Sequence, residues 1–353
     1  MNRREFLKSS VLAAIGTSGA SNAGLALPAY VPRIHEIELV SPWPARAGGY
    51  SDDIYRLARR IEKACGGRLK LHLTTGPASS VTALSRNGNA IHAGLEHDNV
   101  THHPAFGYFA GLPCDFGLPY AAHLEWLTSG GGAALWAEIA RANGITSFFA
   151  GHSGPMAGLW SKRPLMSLSD FTSKTVFTRG LAAEVAKGLG AATTCIVNGT
   201  IATDMDSGRA GVAEWGNASS SLDAGLADVA KYCARGGLTP CGSILSLSAG
   251  CYLWDRFGRD VQTAIRLTAA DETRCSAANA IANHAILVRG LEVAKSVTFY
   301  DLPDEIRTAA QRVCEAVVAD VASRDALSRR VNGSYLDARR AMKIFANRRT
   351  TFG

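Results

Sequence analysis

The chain has 353 residues, of which 47% are hydrophobic and 19% charged, and its formal net charge is +7. This is the composition of a folded globular protein, and it excludes a disordered polypeptide. The length favours two packed domains over one simple core. Basic residues are concentrated after position 323, but Asp325 and Asp337 alternate with them and no nucleic-acid motif accompanies them. We therefore expect a solvated basic face and no nucleic-acid partner.

The N-terminus is typical of an export signal. Arg3 and Arg4 form a twin-arginine pair, a short apolar run covers 11–15, and small residues stand near Ala23. The apolar run is too short to span a bilayer, which needs about 20 residues. We expect residues 1–23 to be an export signal of the twin-arginine type, removed to leave a periplasmic protein. The alternative is a basic, disordered N-terminus.

The first part of the chain after this signal predicts strands that alternate with helices. Apolar and polar residues alternate over 35–40 and 69–73, and an apolar stripe at helical spacing covers 51–65 between them. A strand–helix–strand order implies a parallel pair of strands with a right-handed crossover. The same rules predict a short helix over 81–87, a strand over 90–95, an irregular stretch over 97–119, and a helix over 124–143 that three glycines divide.

Shorter elements are predicted in the middle of the chain, and long helices at its end. The expected strands are 146–150, 158–161, 175–178, 192–197, 211–215 and 244–253, and the expected helices are 168–171, 182–189 and 222–228. From residue 259 the sequence predicts helices, including a long one over 269–291, with a break over 296–304. This order places the chain in the α/β class. Two or more chain crossings between two α/β units would create a hinged cleft.

The cysteines permit disulfide bonds but do not define them. Eight are present, at positions 65, 114, 195, 233, 241, 251, 275 and 314. An even number in an exported protein is compatible with disulfides of unknown pairing. Cys233 and Cys241, which flank a glycine-rich turn, are the nearest plausible pair. No CxxC or His–Cys spacing predicts a metal cluster.

Two groups of residues leave a hydrolase open as the alternative function. His97, His102 and His103 lie in one loop and could ligate zinc, although their spacing matches no known zinc arrangement. His152 precedes Ser153, but the Gly-x-Ser-x-Gly elbow of serine hydrolases is missing. The chain also lacks a dinucleotide-binding or phosphate-binding glycine motif. We therefore expect no cofactor, and the alternative is a periplasmic hydrolase that uses Ser153 and His152 or the His97–His103 loop.

Several segments together resemble the solute receptors of tripartite ATP-independent periplasmic (TRAP) transporters. The strongest segments, from residue 126 to residue 232, are LWSKRPLMSLSDF, DFTSKTVFTRGLAAEVAKGLGA, DSGRAGVAEW and DVAKY. The SGGG sequence at 129–132 is similar to the 2-oxoacid and mannitol–chloroaromatic branch of that family. No single motif is specific, and the resemblance depends on their order and spacing over nearly the whole chain.

The resemblance implies a two-domain periplasmic binding protein with a hinged interdomain cleft and long C-terminal helices. Lobe I is expected to comprise residues 35–150 and about 245–290, and lobe II residues 151–244 and about 291–353. Such a receptor captures a small organic anion, usually a carboxylate, and delivers it to the small and large membrane subunits without chemistry. It also implies a possible homodimer through the C-terminal helices, with the basic tail from Arg324 as the candidate.

The resemblance also implies a set of ligand-binding residues. The family's ligand arginine aligns with Phe177, and Arg179 stands two residues farther on, where it could supply the charge. Glu214 and Trp215 match their family positions, where they hold ligand and a cation. Asn217, which follows them closely, completes this part of the candidate site.

Other positions depart from the family pattern. Met156 replaces a glutamine, and Pro240 replaces a carboxylate, so Glu214 remains as the one matched cation ligand and no tightly held metal is expected. Asp98 and Asn99 stand where the family has aromatic residues that line the cleft. A pocket with these two residues is expected to prefer ligand hydroxyls or an amine over a second carboxylate, because like charges repel.

Overall fold

The computed structural model describes residues 34–43, 49–76, 88–194 and 200–350. The expected export signal, the helix predicted over 81–87 and the end of the strand predicted over 192–197 lie outside these residues. The described chain is built on two separate β-sheets, and helices pack on both of them.

The first sheet has the strand order β2-β1-β3-β10-β4. Its strands are β1 (His35–Ser41), β2 (Leu69–Thr75), β3 (Ala90–Leu95), β4 (Ile145–His152) and β10 (Ile244–Gly250). Strand β1 pairs in parallel with β2 and β3, whereas β10 is antiparallel to β3 and β4. Helix α1 (Tyr50–Ala64) connects β1 to β2, as predicted, and buries Ile54, Leu57 and Ile61 in the core that contains Leu39 of β1. Its 3.6-residue apolar stripe thus covers the sheet.

The second sheet has the order β11-β9-β5-β8-β6-β7. Its strands are β5 (Gly158–Ser161), β6 (Thr175–Phe177), β7 (Ala192–Thr194), β8 (Val212–Glu214), β9 (Tyr232–Arg235) and β11 (Thr298–Tyr300). Strand β6 is parallel to β7 and β8, and β5 is antiparallel to both of its neighbours. The sheet is flanked by short helices: α5 (Leu168–Thr172), α6 (Leu181–Gly188), α7 (Ile201–Asp206), α8 (Ala218–Asp223) and α9 (Leu226–Val229).

The chain passes between the sheets three times within the described residues. It leaves the first sheet after β4, returns at β10, and reaches β11 through α10 (Cys251–Asp255) and the 35-residue helix α11 (Arg259–Val293). The first half of α11 contacts β4 and α1, and its buried residues end at Ala277. Several crossings of this kind connect two α/β units, as the sequence predicts.

The largest core lies under the remaining helices. One of these helices falls in a stretch that the sequence predicted to be irregular. The stretch 97–119, predicted to be irregular, contains α2 (Phe106–Ala110), whose five residues are all buried. Phe109 of α2 stacks on Trp126 and Trp136, which belong to α3 (Tyr120–Thr128) and α4 (Gly132–Ala142). A Cβ at Gly107 would collide with the Leu181 side chain, which would have to move.

Smaller differences from the predicted elements have local causes. Residues 251–253, expected to continue a strand, begin α10, and the helix predicted over 222–228 is divided at Gly225, whose φ is 74°. Strands β9 and β11 were not predicted, although the equally short strands β5 to β8 were. Runs of three or four residues show little alternation, so the sequence signal differs from one to the next.

Two helices end the described chain, α12 (Asp304–Ser323) and α13 (Ala326–Thr350), and most of the basic tail lies on α13. Val331 and Tyr335 of α13 are fully buried, and α13 contacts α2, α3, α4 and α12. Arg330 forms an ion pair with Glu138, and the Arg339 guanidinium lies 4.7 Å from the Phe116 ring. The helix therefore packs on its own chain. No helix in the described ranges combines the length and apolarity needed to cross a membrane.

Candidate functional site

Two predicted site residues from different sheets meet in an ion pair. Asp98 lies in the 3₁₀ helix Glu96–Thr101 directly after β3, and Arg179 lies in the loop between β6 and α6. Arg179 Nη1 donates to Asp98 Oδ1 over 2.7 Å, and the two side chains are 24% and 21% exposed. The pair therefore connects the end of a strand in the first sheet with the end of a strand in the second, at a point that solvent reaches.

Aromatic side chains support this ion pair from the second sheet. The Arg179 guanidinium lies 5.6 Å from the centre of the Phe177 ring, and Phe177 is 5.4 Å from the half-buried Trp215. Phe177 itself is only 2% exposed and belongs to a core cluster with Ile201 and Met205. Phe177 thus supports Arg179 through a cation–π contact, and Trp215 is the more accessible of the two rings.

The Glu214 carboxylate is buried and fully used by hydrogen-bond donors. It accepts from the Thr178 hydroxyl at 2.6 Å, from the Leu238 and Thr239 amides at 2.7 Å each, and from the Thr239 hydroxyl at 3.3 Å. Burial raises the pKa of Glu214, and these donors act in the opposite direction. A Cβ at Gly237 would collide with the carboxylate. Glu214 therefore fixes the loop after β9 against the residue that precedes Arg179.

This arrangement does not fit a metal ion. A hard cation needs several oxygen ligands, but both Glu214 oxygens face hydrogen-bond donors. Met156, half-buried, offers a thioether, and its backbone amide donates to the Pro240 carbonyl at 3.3 Å. Within the part of the chain that the structure describes, no group of three or more His, Cys, Asp or Glu side chains could hold a metal.

Asn217 is engaged in the loop that follows β8. Its Oδ1 accepts from the Ser220 amide at 2.9 Å and caps α8, and its Nδ2 donates to the Ser153 carbonyl at 2.7 Å. The side chain is 6% exposed. Asn217 therefore connects the second sheet to the segment in which the chain leaves β4, and both ends of its amide are already occupied.

Asn99 reveals a buried acid that the site prediction missed. Its Nδ2 donates to both oxygens of Glu96 at 3.2 and 3.1 Å, and the Ser147 hydroxyl donates to the same carboxylate at 3.3 Å. Glu96 is completely buried, and burial raises its pKa to about 7. A cavity of about 10 Å³, room for about one water molecule, lies beside it and is lined in part by Asp98, Asn99 and Ser246.

The geometry does not support the hydrolase alternative. His152 Nδ1 accepts from the Gly154 amide at 2.9 Å, and its Nε2 is buried without a hydrogen-bond partner. The Ser153 hydroxyl donates to the Gly154 carbonyl and accepts from the Ser243 amide. These described hydrogen bonds do not join the Ser153 hydroxyl to His152, and burial lowers the pKa of His152 to about 3. A general base needs a hydrogen bond to its nucleophile and a pKa near the working pH.

The His97–His103 loop likewise contains no zinc site in its described side chains. His103 Nε2 is 3.0 Å from Asp325 Oδ2, which ties the loop to the start of α13. Its Nδ1 accepts from the Ala105 amide at 3.3 Å. Both ring nitrogens are therefore used for structure.

The fold and the candidate site define a class of protein: an α/β protein built on two sheets, in which charged residues that follow a strand of each sheet meet where solvent reaches them. Residues 53–325 match the DctP family, described as bacterial extracellular solute-binding protein, family 7. The chain belongs to this family. The expected resemblance to TRAP solute receptors, the α/β fold class and the periplasmic location are thereby confirmed, and the protein is a periplasmic solute-binding protein.

Similar proteins agree with this assignment. A monocarboxylate 2-oxoacid-binding periplasmic protein from Nostoc sp. is 25% identical over 343 residues, covering 94% of this chain and 92% of that protein. A TRAP transporter solute-binding protein from Bordetella bronchiseptica, solved as a dimer with calcium and picolinate, has a TM-score of 0.83 at 19% identity and covers 91% of this chain and 98% of that one. A TRAP periplasmic solute-binding protein from Pseudoalteromonas atlantica, with bound sodium and pyruvate, has a TM-score of 0.82 at 18% identity, with coverages of 91% and 99%.

Proposed function

We propose that this receptor captures a small monocarboxylate between its two sheets and delivers it to the small and large membrane subunits of a TRAP transporter, without catalysing a reaction. The observation that carries the proposal is the ion pair between Asp98 and Arg179, which joins the strand ends of both sheets at 2.7 Å. The family assignment supports a receptor. The Nostoc relative supports a monocarboxylate as the ligand class.

The proposed lobes follow the two sheets. Strands of the first sheet fall within 35–150 and 245–290 apart from the ends of β4 and β10, and those of the second sheet fall within 151–244 and 291–353. The three chain crossings between the sheets are the natural hinge segments. Arg179 and Asp98 already touch in this structure, so opening about these segments would separate them to admit the ligand.

Arg179 is the proposed anchor for the ligand carboxylate. A guanidinium offers two parallel N–H donors to a carboxylate, and partial burial strengthens the pairing. Arg179 is 24% exposed and holds Asp98, itself a carboxylate. Asp98 thus occupies the place that a ligand carboxylate would take, and the ligand must displace it or share the guanidinium with it.

This competition predicts the chemistry of the ligand beside its carboxylate. Once the ligand carboxylate is on Arg179, Asp98 faces a like charge, which is unfavourable in a partly desolvated site. A hydroxyl or ammonium group on the adjacent carbon would donate to Asp98 and relieve the repulsion. We therefore propose small 2-hydroxy or 2-amino monocarboxylates as better ligands than 2-oxoacids or dicarboxylates, with Trp215 covering the apolar part.

The ligand is proposed to bind without a cation. The cations named for the similar Bordetella and Pseudoalteromonas proteins are calcium and sodium. Here the matched carboxylate, Glu214, has four donors within 3.3 Å. Its oxygens would have to give up these donors before they could ligate a metal.

A thermal-shift panel tests these proposals. Lactate and alanine should raise the melting temperature of the protein by about 5 °C at one hundred times their Kd, by mass action. Pyruvate and malonate at the same concentration should raise the melting temperature less, because they bind more weakly. Arg179→Ala should abolish every shift, whereas the matched control Arg163→Ala, an exposed arginine, should leave them unchanged. Asp98→Asn should move the preference towards pyruvate. Shifts that survive in Arg179→Ala, or that require calcium, would contradict the proposal.

We further propose that residues 1–23 are an export signal. We also propose that the protein forms a homodimer through its C-terminal helical region. The basic tail packs on its own chain, whereas the second half of α11 presents large apolar side chains to solvent. Ile281, Ile286 and Val293 are 44%, 68% and 66% exposed. A second copy of this chain is the proposed occupant, because the Bordetella neighbour is a dimer.

A further inference from the structure

Two cysteines that are 200 positions apart in the chain are held together by the contacts of their neighbours. Cys114 begins a short 3₁₀ helix (Cys114–Phe116), and Cys314 lies in α12. The Cys314 thiol donates to the Pro113 carbonyl at 3.2 Å. On the other side of Cys114, the Asp115 amide donates to Gln311 Oε1 at 3.3 Å, and Gln311 lies one turn before Cys314 on α12. Cys114 is thereby fixed against the helix face that carries Cys314.

The two thiols also influence each other. The neighbouring Cys314 thiol, together with burial, raises the pKa of the Cys114 thiol. Cys314 is fully buried, and Cys114 packs against the same apolar cluster. The backbone of Cys114 has a φ of 52°, in the left-handed region that side-chain-bearing residues rarely adopt. Its amide donates to the Leu238 carbonyl at 2.7 Å, which holds this conformation.

The other cysteines have different surroundings. Cys233 donates to the Ala157 carbonyl at 3.5 Å inside the second sheet, and the Cys241 sulfur lies beside Gly117. The pair Cys233–Cys241 expected from the sequence thus has separate neighbours, and Cys275 is exposed on α11. The cysteines in the described part of the chain are free thiols, and Cys314 is the one whose sulfur lies beside the residue preceding Cys114.

We propose that Cys114 and Cys314 form a disulfide bond in the exported protein. The periplasm keeps such bonds oxidised. The reaction is a thiol–disulfide exchange with a disulfide-bearing protein oxidant: the S–S bond of the oxidant breaks, a new S–S bond joins the two cysteines, and the oxidant leaves with two electrons and two protons as two thiols.

The bond would stabilise the loop behind the candidate site. The disulfide would close a loop of about 200 residues, and closing a long loop removes much of the conformational entropy of the unfolded chain. The disulfide would also anchor Cys114, whose amide donates to the Leu238 carbonyl. The Leu238 amide in turn donates to the Glu214 carboxylate. The disulfide therefore fixes one end of the hydrogen-bond chain that leads to Thr178, next to Arg179.

Thiol counting on protein purified from the periplasm tests the proposal. The full chain is unfolded without reductant and alkylated, its mass is measured, and its peptides are mapped. Two of the eight cysteines of the sequence should resist alkylation, and the peptides containing Cys114 and Cys314 should be linked. Cys275→Ser, the matched control, should keep the linkage, and Cys114→Ser should free Cys314 for alkylation. Reductant should lower the melting temperature of the wild type by about 5 °C or more and leave that of Cys114→Ser unchanged.

Two results would overturn the proposal. One is complete alkylation of all cysteines in the periplasmic wild-type protein. The other is a linkage that maps to a different pair, such as Cys233 and Cys241. The peptide map uses the wild-type chain, so it gives an answer even where a variant folds poorly.

Discussion

Arg179 and Asp98 concentrate the proposed recognition in two side chains. Asp98 lies three residues after the end of β3 in the first sheet, and Arg179 lies two residues after the end of β6 in the second. The pair is partly buried but still reached by solvent, so a ligand carboxylate can compete with Asp98 for the guanidinium. The Phe177 ring behind Arg179 limits how far the guanidinium can move.

Glu96 provides a prediction about pH. Its folded-state pKa is about 7, against an ordinary value of 4.5, because the carboxyl is buried. Between these values the unfolded chain releases a proton that the folded protein keeps, so this group makes the free energy of unfolding fall as pH rises from about 4.5 to about 7 and then level off. Glu96→Gln should remove that fall, which amounts to at most about 3 kcal/mol.

Urea denaturation at pH 5 and pH 8 measures this effect. The free energy of unfolding of Glu96→Gln, relative to that of the wild type, should be higher at pH 8 than at pH 5. Glu125→Gln, at an exposed position, is the control and should show the same difference at both values. A Glu96→Gln protein that loses equal stability at both pH values would contradict a raised pKa in the folded state.

At the scale of elements, the loop after β9 depends on Glu214. Four donors from Thr178, Leu238 and Thr239 converge on its carboxylate. Glu214→Gln places an NH₂ group among donors and should lower the free energy of unfolding by about 2 kcal/mol. Denaturation in EDTA and in calcium measures it, and the exposed Glu184→Gln serves as control. A loss of stability seen only with calcium present would instead identify Glu214 as a cation ligand.

The predictable elements are those whose signal is local. The alternation in β1 and β2 and the stripe of α1 are contained in the sequence itself, and the structure confirms them. Helix α2 was missed because FGYFA is apolar on every side and contains a glycine, so only its tertiary burial identifies it. Residues 251–253 continued an apolar run that the sequence could not distinguish from a strand.

The candidate site residues can be divided in the same way, into those with a signal in the sequence and those that depend on tertiary packing. Arg179, Trp215 and Glu214 were named as candidate site residues through the resemblance, which depends on the order and spacing of motifs along the chain. Glu96 was not named as a candidate because its burial depends on Ser147 of β4 and Ser246 of β10, which are distant in the chain. The sequence signal for it was present but weak: a carboxylate at a strand end with an asparagine three residues later.

At the scale of the whole molecule, the exposed part of α11 predicts an oligomer. Ile286 is 68% exposed on a helix of 35 residues whose first half is packed on the first sheet. Exposed apolar surface of this kind is typical of an interface. Ile286→Glu should therefore convert a dimer to a monomer in light scattering after size exclusion, with unchanged circular dichroism. Tyr252→Glu, an exposed residue outside this stretch, should remain dimeric. A wild-type monomer at all concentrations would contradict the proposed dimer.

A crystal structure with the best ligand of the panel tests the central claim most directly. The account predicts that the two sheets close over the ligand, that its carboxylate accepts from Arg179 at about 2.8 Å, and that Asp98 accepts from the adjacent hydroxyl or ammonium group. A ligand bound elsewhere, with the Arg179–Asp98 pair intact and no group of the ligand between the sheets, would contradict it.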